Sequence, residues 1–123
     1  MSKIIEMRKA IYNAIVAIHP RVHFEEAPEN EIYPYVVIDL PTSTDDGSLE
    51  QFMIDIDGWD RPLLGDTTEL EELMESINEV LHRETFYIAS ELAMTLYREN
   101  RLYLRDNDKR IRRRKYIYQA RTY

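Results

Sequence analysis

Cysteine, glycine and long apolar runs are what this sequence of 123 residues lacks. Without cysteine, no disulfide can form and nothing in the fold depends on an oxidising compartment. The three glycines, Gly47, Gly58 and Gly65, are too dispersed to build a phosphate-binding loop. The longest apolar run, Ile32–Ile38, is interrupted by Pro34 and is too short to cross a membrane as a helix.

The residue patterns on which enzymes and cofactors depend are also missing. None of the five serines lies in a glycine-flanked turn that could present a nucleophile. His19 and His23 are four residues apart, but Pro20 prevents the continuous helix that would bring both imidazoles to one metal ion. The N-terminus has no apolar stretch typical of a secretory signal. We therefore expect a soluble, non-enzymatic protein with no cofactor and no metal.

Basic charge is scarce over most of the chain and concentrated at its end. Residues 1–100 carry 21 acidic and 7 basic side chains, a balance of −14, whereas residues 101–123 carry 9 basic and 2 acidic ones, a balance of +7. Between Glu25 and Glu79, Arg61 is the only base among 17 carboxylates. Such an asymmetry gives information about partners rather than about the fold.

Hydrophobic periodicity predicts two helices. Apolar residues recur at three- and four-residue steps over residues 4–18, and the pattern ends before Pro20. A second apolar stripe covers residues 70–81, and Asp66 with Glu69 three residues later predicts a capping box at its start.

Alternation and β-branched residues predict strands in the rest of the chain. Tyr35–Leu40 and Leu49–Trp59 are typical of strands, and Pro41–Ser48 of a turn-rich loop between them. The second strand alternates, so its apolar side chains should face the core and its aspartates the solvent. Two extended segments, Leu102–Arg105 and Arg110–Tyr118, predict a β-hairpin. Phe86–Leu96 fits neither period well, so Leu92–Arg98 could be a strand or a helical tail, and the secondary structure of residues 84–100 stays open. The expected fold is one α+β domain, residues 1–123, with an antiparallel sheet of four to five strands and two helices packed on one face.

The basic run, defined as Lys109–Lys115, is the strongest local signal and allows three interpretations. It could contact the acidic surface of another copy of the chain, a head-to-tail arrangement that closes into a ring or continues as a filament. It could be the solvated edge of a sheet. It could bind nucleic acid, although the −14 balance of residues 1–100 would repel a polyanion. The candidate interface residues are Arg110, Arg112, Arg113, Arg114 and Lys115, with Asp45, Asp46 and Glu50 as acidic counterparts.

The order of these elements resembles a known family. The first helix is followed by an acidic loop, Glu25–Glu31, which ends in Ile32–Val37 (IYPYVV). A later strand ends in Ile54–Trp59 (IDIDGW), and the second helix begins with Asp66–Leu70 (DTTEL). A basic, tyrosine-bearing strand, Arg112–Tyr123, closes the chain. This pattern is similar to that of the tail-completion (tail-terminator, head–tail joining) proteins of long-tailed bacteriophages and prophages.

The resemblance implies a structural virion protein without catalytic residues. Members of this family form rings, commonly hexamers, that cap the finished tail tube and dock onto the head connector, while DNA passes through the lumen without being read. The chain would then be made in the cytoplasm of the bacterial host and act in the virion tail, with tail-tube protein and head connector as partners and no membrane. The alternative hypothesis is a small nucleic-acid-binding regulator that uses the basic hairpin.

Overall fold

The computed structural model describes residues 3–45, 50–89 and 92–122. The chain has two α-helices, α1 (Lys3–Val16) and α2 (Thr68–Leu81), in the described residues. A short 3₁₀ turn lies at Leu63–Gly65. The strands are β1 (Val22–Phe24), β2 (Tyr35–Asp45), β3 (Glu50–Asp60), β4 (Thr85–Ala89), β5 (Leu92–Arg105) and β6 (Arg112–Thr122). Among the helices of these residues, none is long and apolar enough to cross a membrane.

All six strands belong to one mixed sheet with the order β1-β2-β3-β6-β5-β4. The α+β class is confirmed, but the sheet has six strands rather than four or five, and β1 pairs with β2 in parallel rather than antiparallel. β1 is only three residues long, too short to produce a detectable alternation. In β4 and β5 the register shifts between Tyr87 and Ala89 and between Arg98 and Asn100. Each irregularity breaks the two-residue period, which explains why this part of the chain matched neither template.

One face of the sheet carries the core. α2 packs on β3, β5 and β6, and α1 packs on α2, β1 and β4. The alternation predicted for β3 is confirmed, since Phe52, Ile54 and Ile56 are buried on the helix-facing side. Asp55 and Asp57 fall on the opposite side, which we call the helix-free face.

β6 contributes two buried tyrosines to the same core. Tyr116 and Tyr118 are fully buried, and their hydroxyls donate hydrogen bonds to Glu75 at 2.6 Å and to Asn78 at 2.8 Å. Both acceptors lie on α2, so the polar ends of the tyrosines fix the helix against the sheet. Burial raises the pKa of both hydroxyls.

One predicted boundary, between the strand Tyr35–Leu40 and the loop after it, is wrong. The segment predicted as a loop from Pro41 is strand as far as Asp45, because β2 continues through an irregularity between Asp39 and Thr42. A proline fits such a position because its missing N–H removes no regular ladder bond there. Residues 46–48 of the predicted loop lie outside the described part of the chain.

The predicted capping box at α2 does not form. The N-cap position is Thr67, whose side chain makes no capping hydrogen bond. The Asp66 carboxylate instead accepts hydrogen bonds from the backbone N–H and the hydroxyl of Thr68, at 3.0 and 2.6 Å. A short local Asx turn has therefore replaced the reciprocal cap.

Candidate interaction surface

The basic run occupies the turn before β6 and the first half of β6. β6 lies in the interior of the sheet, between β3 and β5, so the interpretation of these charges as a protected sheet edge is wrong. The pairing of β6 with β3 shows on which face of the sheet each basic side chain lies. Lys115 is opposite Asp57, and Arg114 is opposite Gly58. Arg113 and Lys115 accordingly lie on the helix-free face, whereas Arg114 lies on the side of α2.

On the helix-free face, two basic side chains surround one buried carboxylate. The Arg113 guanidinium donates to Asp57 at 3.1 Å, and the Lys115 ammonium lies 3.5 Å from Asp55 and 3.8 Å from Asp57. Asp57 is only 6% exposed, although no helix covers this face. Burial raises its pKa, and the two cations oppose that shift. The Asp57 carboxylate is therefore held between two cations of β6.

Aromatic rings extend this charged cluster towards one end of the sheet. The Arg113 guanidinium lies 4.5 Å from the centre of the Trp59 ring, and that ring stacks on Tyr35 with centroids 6.0 Å apart. A cleft of about 330 Å³ opens beside them, between the cluster and the loop that starts at Glu25. The cleft combines ring faces with opposite charges, so it suits a polar contact better than an apolar ligand.

On the other face, the basic side chains also have partners within the chain. Arg114 forms an ion pair with Glu71 of α2, and its guanidinium lies 4.2 Å from the centre of the Tyr103 ring. Arg112 donates to the backbone carbonyl of Lys109. The Arg114–Glu71 ion pair ties the hairpin between β5 and β6 to the start of α2, and the other two contacts lie within the hairpin.

Arg110 lies in the turn and is the most exposed cation among these ion pairs. Its guanidinium contacts the Asp108 carboxylate at 2.9 Å, and its side chain is 65% exposed. The hydrogen bonds from Arg110 lower the pKa of Asp108 to about 2. The pair stiffens the turn but leaves most of the guanidinium accessible to a partner.

The acidic counterparts lie at the opposite end of the sheet. Asp45 pairs with Glu50 where β2 and β3 meet, and Asp46 lies outside the described residues. From Glu50 to the part of β3 that pairs with the basic run is a distance of roughly 25 Å, at about 3.3 Å per strand residue. The two groups therefore do not meet within one chain, and any contact between them joins separate molecules.

Sequence reasoning missed one feature at the basic end. Leu63 and Leu64, in the turn between β3 and α2, are 89% and fully exposed. The only sequence signal was a pair of leucines between Pro62 and Gly65, inside a segment that otherwise reads as a loop. The nearby hairpin holds a groove of about 760 Å³, which no pattern in the sequence indicates.

The histidines predicted not to share a metal ion have separate protein partners. His19 donates to the carbonyl of Pro34 at 2.7 Å, and His23 contacts the Glu31 carboxylate. In the part of the chain that the structure describes, no group of three or more metal-ligating side chains comes together.

Comparison with known proteins identifies a family and solved structures with a similar fold. The family model described as "Tail completion protein gp17" matches residues 9–123. A chain from the virion of a native gene transfer agent particle has the same fold, with a TM-score of 0.71, 13% sequence identity, and coverage of 94% of this chain and 93% of that one. No curated protein sequence matches the chain significantly.

Proposed function

Because the chain belongs to the tail completion protein gp17 family, we propose that it forms a ring that caps the tail tube and joins the tail to the head connector. The chain is a structural protein of the virion tail and not an enzyme. The observation that carries the proposal is the family match, which covers almost the whole domain. We propose six copies for the ring, with DNA passing through its lumen and subunits made in the host cytoplasm.

The proposed mechanism is geometric. A ring joins two partners when its two faces differ, and this chain has a basic run at one end of its sheet and acidic residues at the other. The proposed contacts to neighbouring copies, tube or connector are those predicted from charge. They are Arg110, Arg112, Arg113, Arg114 and Lys115 at one end and Asp45 and Glu50 at the other, together with Asp46, which lies outside the described residues. Arg113, Arg114 and Lys115 already hold carboxylates of their own chain, so a partner would share these side chains rather than capture free ones.

The arrangement of the basic run does not favour the alternative of a nucleic-acid-binding regulator. Three of its cations face carboxylates of β3 and α2, which lowers the positive potential that a phosphate backbone would meet. A ring lumen that DNA crosses without being read needs no such potential.

The test is capping of tail tubes. The protein is mixed with cognate tail tubes at low and at high salt, and tube growth and the mass of the bound assembly are followed by light scattering and electron microscopy. Arrest of growth with a ring at the tube end is the expected result, and we expect capping to become weaker at high salt because exposed charges are screened. A protein that never associates with tube ends contradicts the proposal.

Charge reversal tests the basic end. The double variant Arg110→Glu/Arg112→Glu should weaken capping at least tenfold while the free protein stays folded. Arg121→Glu is the matched control for the single variant Arg112→Glu, since each reverses one charge on β6 and only Arg112 belongs to the basic run. If the control is as damaging as Arg112→Glu, net charge rather than the basic run is responsible. Binding of free DNA by the wild-type protein, lost in the double variant, would favour the regulator instead.

A further inference from the structure

Two adjacent leucines, which we call the leucine knob (Leu63 and Leu64), project from the loop between β3 and α2. Both side chains are almost completely exposed in a chain of which 32% of the residues are charged. Single exposed apolar residues are ordinary, but two neighbours at the tip of one loop form a small apolar patch. Burial within the chain does not account for them.

The backbone of the knob is also in an unfavourable conformation. Leu64 has φ +58°, in the left-handed region, and Gly65 follows with φ +74°. A leucine is disfavoured there, whereas glycine or asparagine adopts this conformation readily. Hydrogen bonds from the N–H groups of Gly65 and Asp66 to the carbonyls of Pro62 and Leu63 close the turn. The loop therefore keeps a strained leucine exposed to solvent, an arrangement typical of contact sites.

A groove of about 760 Å³ lies in the hairpin between β5 and β6, and we call it the hairpin groove. Its apolar lining includes Tyr103, Leu104 and Ile111, and Tyr103 is 60% exposed. Its charged lining has four cations and one carboxylate: Arg105, Lys109, Arg112, Arg114 and Asp106. The groove thus offers apolar surface inside a basic border.

The knob lies next to the groove of its own chain but does not fill it. A Cβ atom on Gly65 would come within 3.5 Å of the Arg112 guanidinium, which places the base of the knob beside the groove rim. Leu63 and Leu64 nevertheless stay exposed, so their own groove does not accept them. A binding surface and a matching site are therefore present together on each copy.

We propose that the leucine knob of one copy inserts into the hairpin groove of the next copy. Charge favours this occupant, because the exposed Asp66 and Glu69 follow the knob and would face the basic rim of the groove. The ring requires this contact to be heterologous, with each knob entering the groove of the next copy, whereas a reciprocal two-fold exchange between the two adjacent patches would give a closed dimer. This inference rests on the proposed ring and identifies a contact that holds it together.

Disulfide trapping on the tail tube tests the contact directly. Because the chain has no cysteine, Leu64→Cys and Ile111→Cys create two single-cysteine proteins with no background. Mixed on tube ends and oxidised, they should yield a disulfide-linked dimer that contains one copy of each. The control mixture replaces Leu64→Cys by Ile32→Cys, since Ile32 is another exposed apolar residue, 66% exposed, and lies in a different loop.

The outcomes separate this contact from the proposed function. Tube ends that are capped without a dimer above the control level overturn the knob contact and leave the ring proposal standing. Failure of the wild-type protein to cap overturns the ring proposal, and the knob contact with it. If the linked pairs are found by electron microscopy only as free two-subunit particles, and never within a larger ring, the head-to-tail arrangement is overturned.

A second variant removes the apolar side chain without straining the fold. Asparagine tolerates the left-handed region, so Leu64→Asn should leave the stability of the free subunit unchanged or slightly higher. Capping should become at least tenfold weaker, whereas Ile32→Asn should cap as the wild type does. Normal capping by Leu64→Asn would overturn the proposal.

Discussion

Replacing Gly58 by alanine should destabilise the domain through a single contact between sheet and helix. Gly58 lies in β3 opposite α2, and a Cβ atom there would lie 2.6 Å from the Met74 sulfur and 3.1 Å from Leu70 Cδ1. Both neighbours are fully buried, so neither can move into solvent. The helix approaches the sheet so closely at this point that only a hydrogen atom fits.

The expected cost follows from opposing contributions. Forcing a methyl group into a packed core costs about 1–3 kcal/mol. Alanine also restricts the unfolded chain, which returns about 0.4–1 kcal/mol. With the middle value of each range, the free energy of unfolding should fall by about 1.3 kcal/mol, equivalent to a drop in Tm of roughly 5 °C for a domain of this size. Urea unfolding followed by far-UV circular dichroism and by the fluorescence of Trp59, the single tryptophan, measures the change.

A double-mutant cycle decides whether Met74 causes the cost. Met74→Ala alone should be destabilising by about 2–5 kcal/mol because it leaves a cavity. In the double variant the new methyl group enters that space, so the combined cost should be at least about 1 kcal/mol less than the sum of the single costs. Additive costs, or a Gly58→Ala protein as stable as the wild type, would refute the packing argument.

Three further predictions concern titratable groups. Burial raises the pKa of Asp57 in the folded protein above its value in the unfolded chain. The protonated carboxyl therefore stabilises the fold at low pH, and this contribution is lost as pH rises through the pKa of the folded state. The stability of the wild type relative to Asp57→Asn, measured by urea unfolding, should increase as pH falls from 7 towards 4. The pKa of Asp108, about 2, is held down by Arg110, and Arg110→Gln should return it towards 3.8 in a carboxyl NMR titration. Burial lowers the pKa of His82, and its Nδ1 accepts a hydrogen bond from the N–H of Arg98 at 2.9 Å. The free energy of unfolding should therefore fall as pH drops below about 6.5, because the unfolded chain binds the proton more readily. His82→Asn should remove this dependence on pH.

The parts of the fold that the sequence predicts are those with an unbroken period. The stripe of α2 and the alternation of β3 each continue for ten residues or more, and both are confirmed. β4 is not predicted, because five residues without regular alternation carry too little signal. Mixed strand direction follows from how the segment between β1 and β2 closes, which depends on tertiary contacts such as the hydrogen bond from His19 to Pro34.

The sequence shows that acidic residues dominate most of the chain and basic residues its end. Which of the basic side chains remain accessible to a partner depends on the order of the strands in the sheet. Because β6 lies between β3 and β5, Lys115 and Arg114 meet carboxylates of their own chain, and within the basic run only Lys109 and Arg110 remain largely exposed. These two side chains belong to the same end of the sheet as the leucine knob. Recognition at this end therefore has to combine few charges with apolar contact, so charge reversal in the turn and Leu64→Asn should each weaken capping without unfolding the subunit.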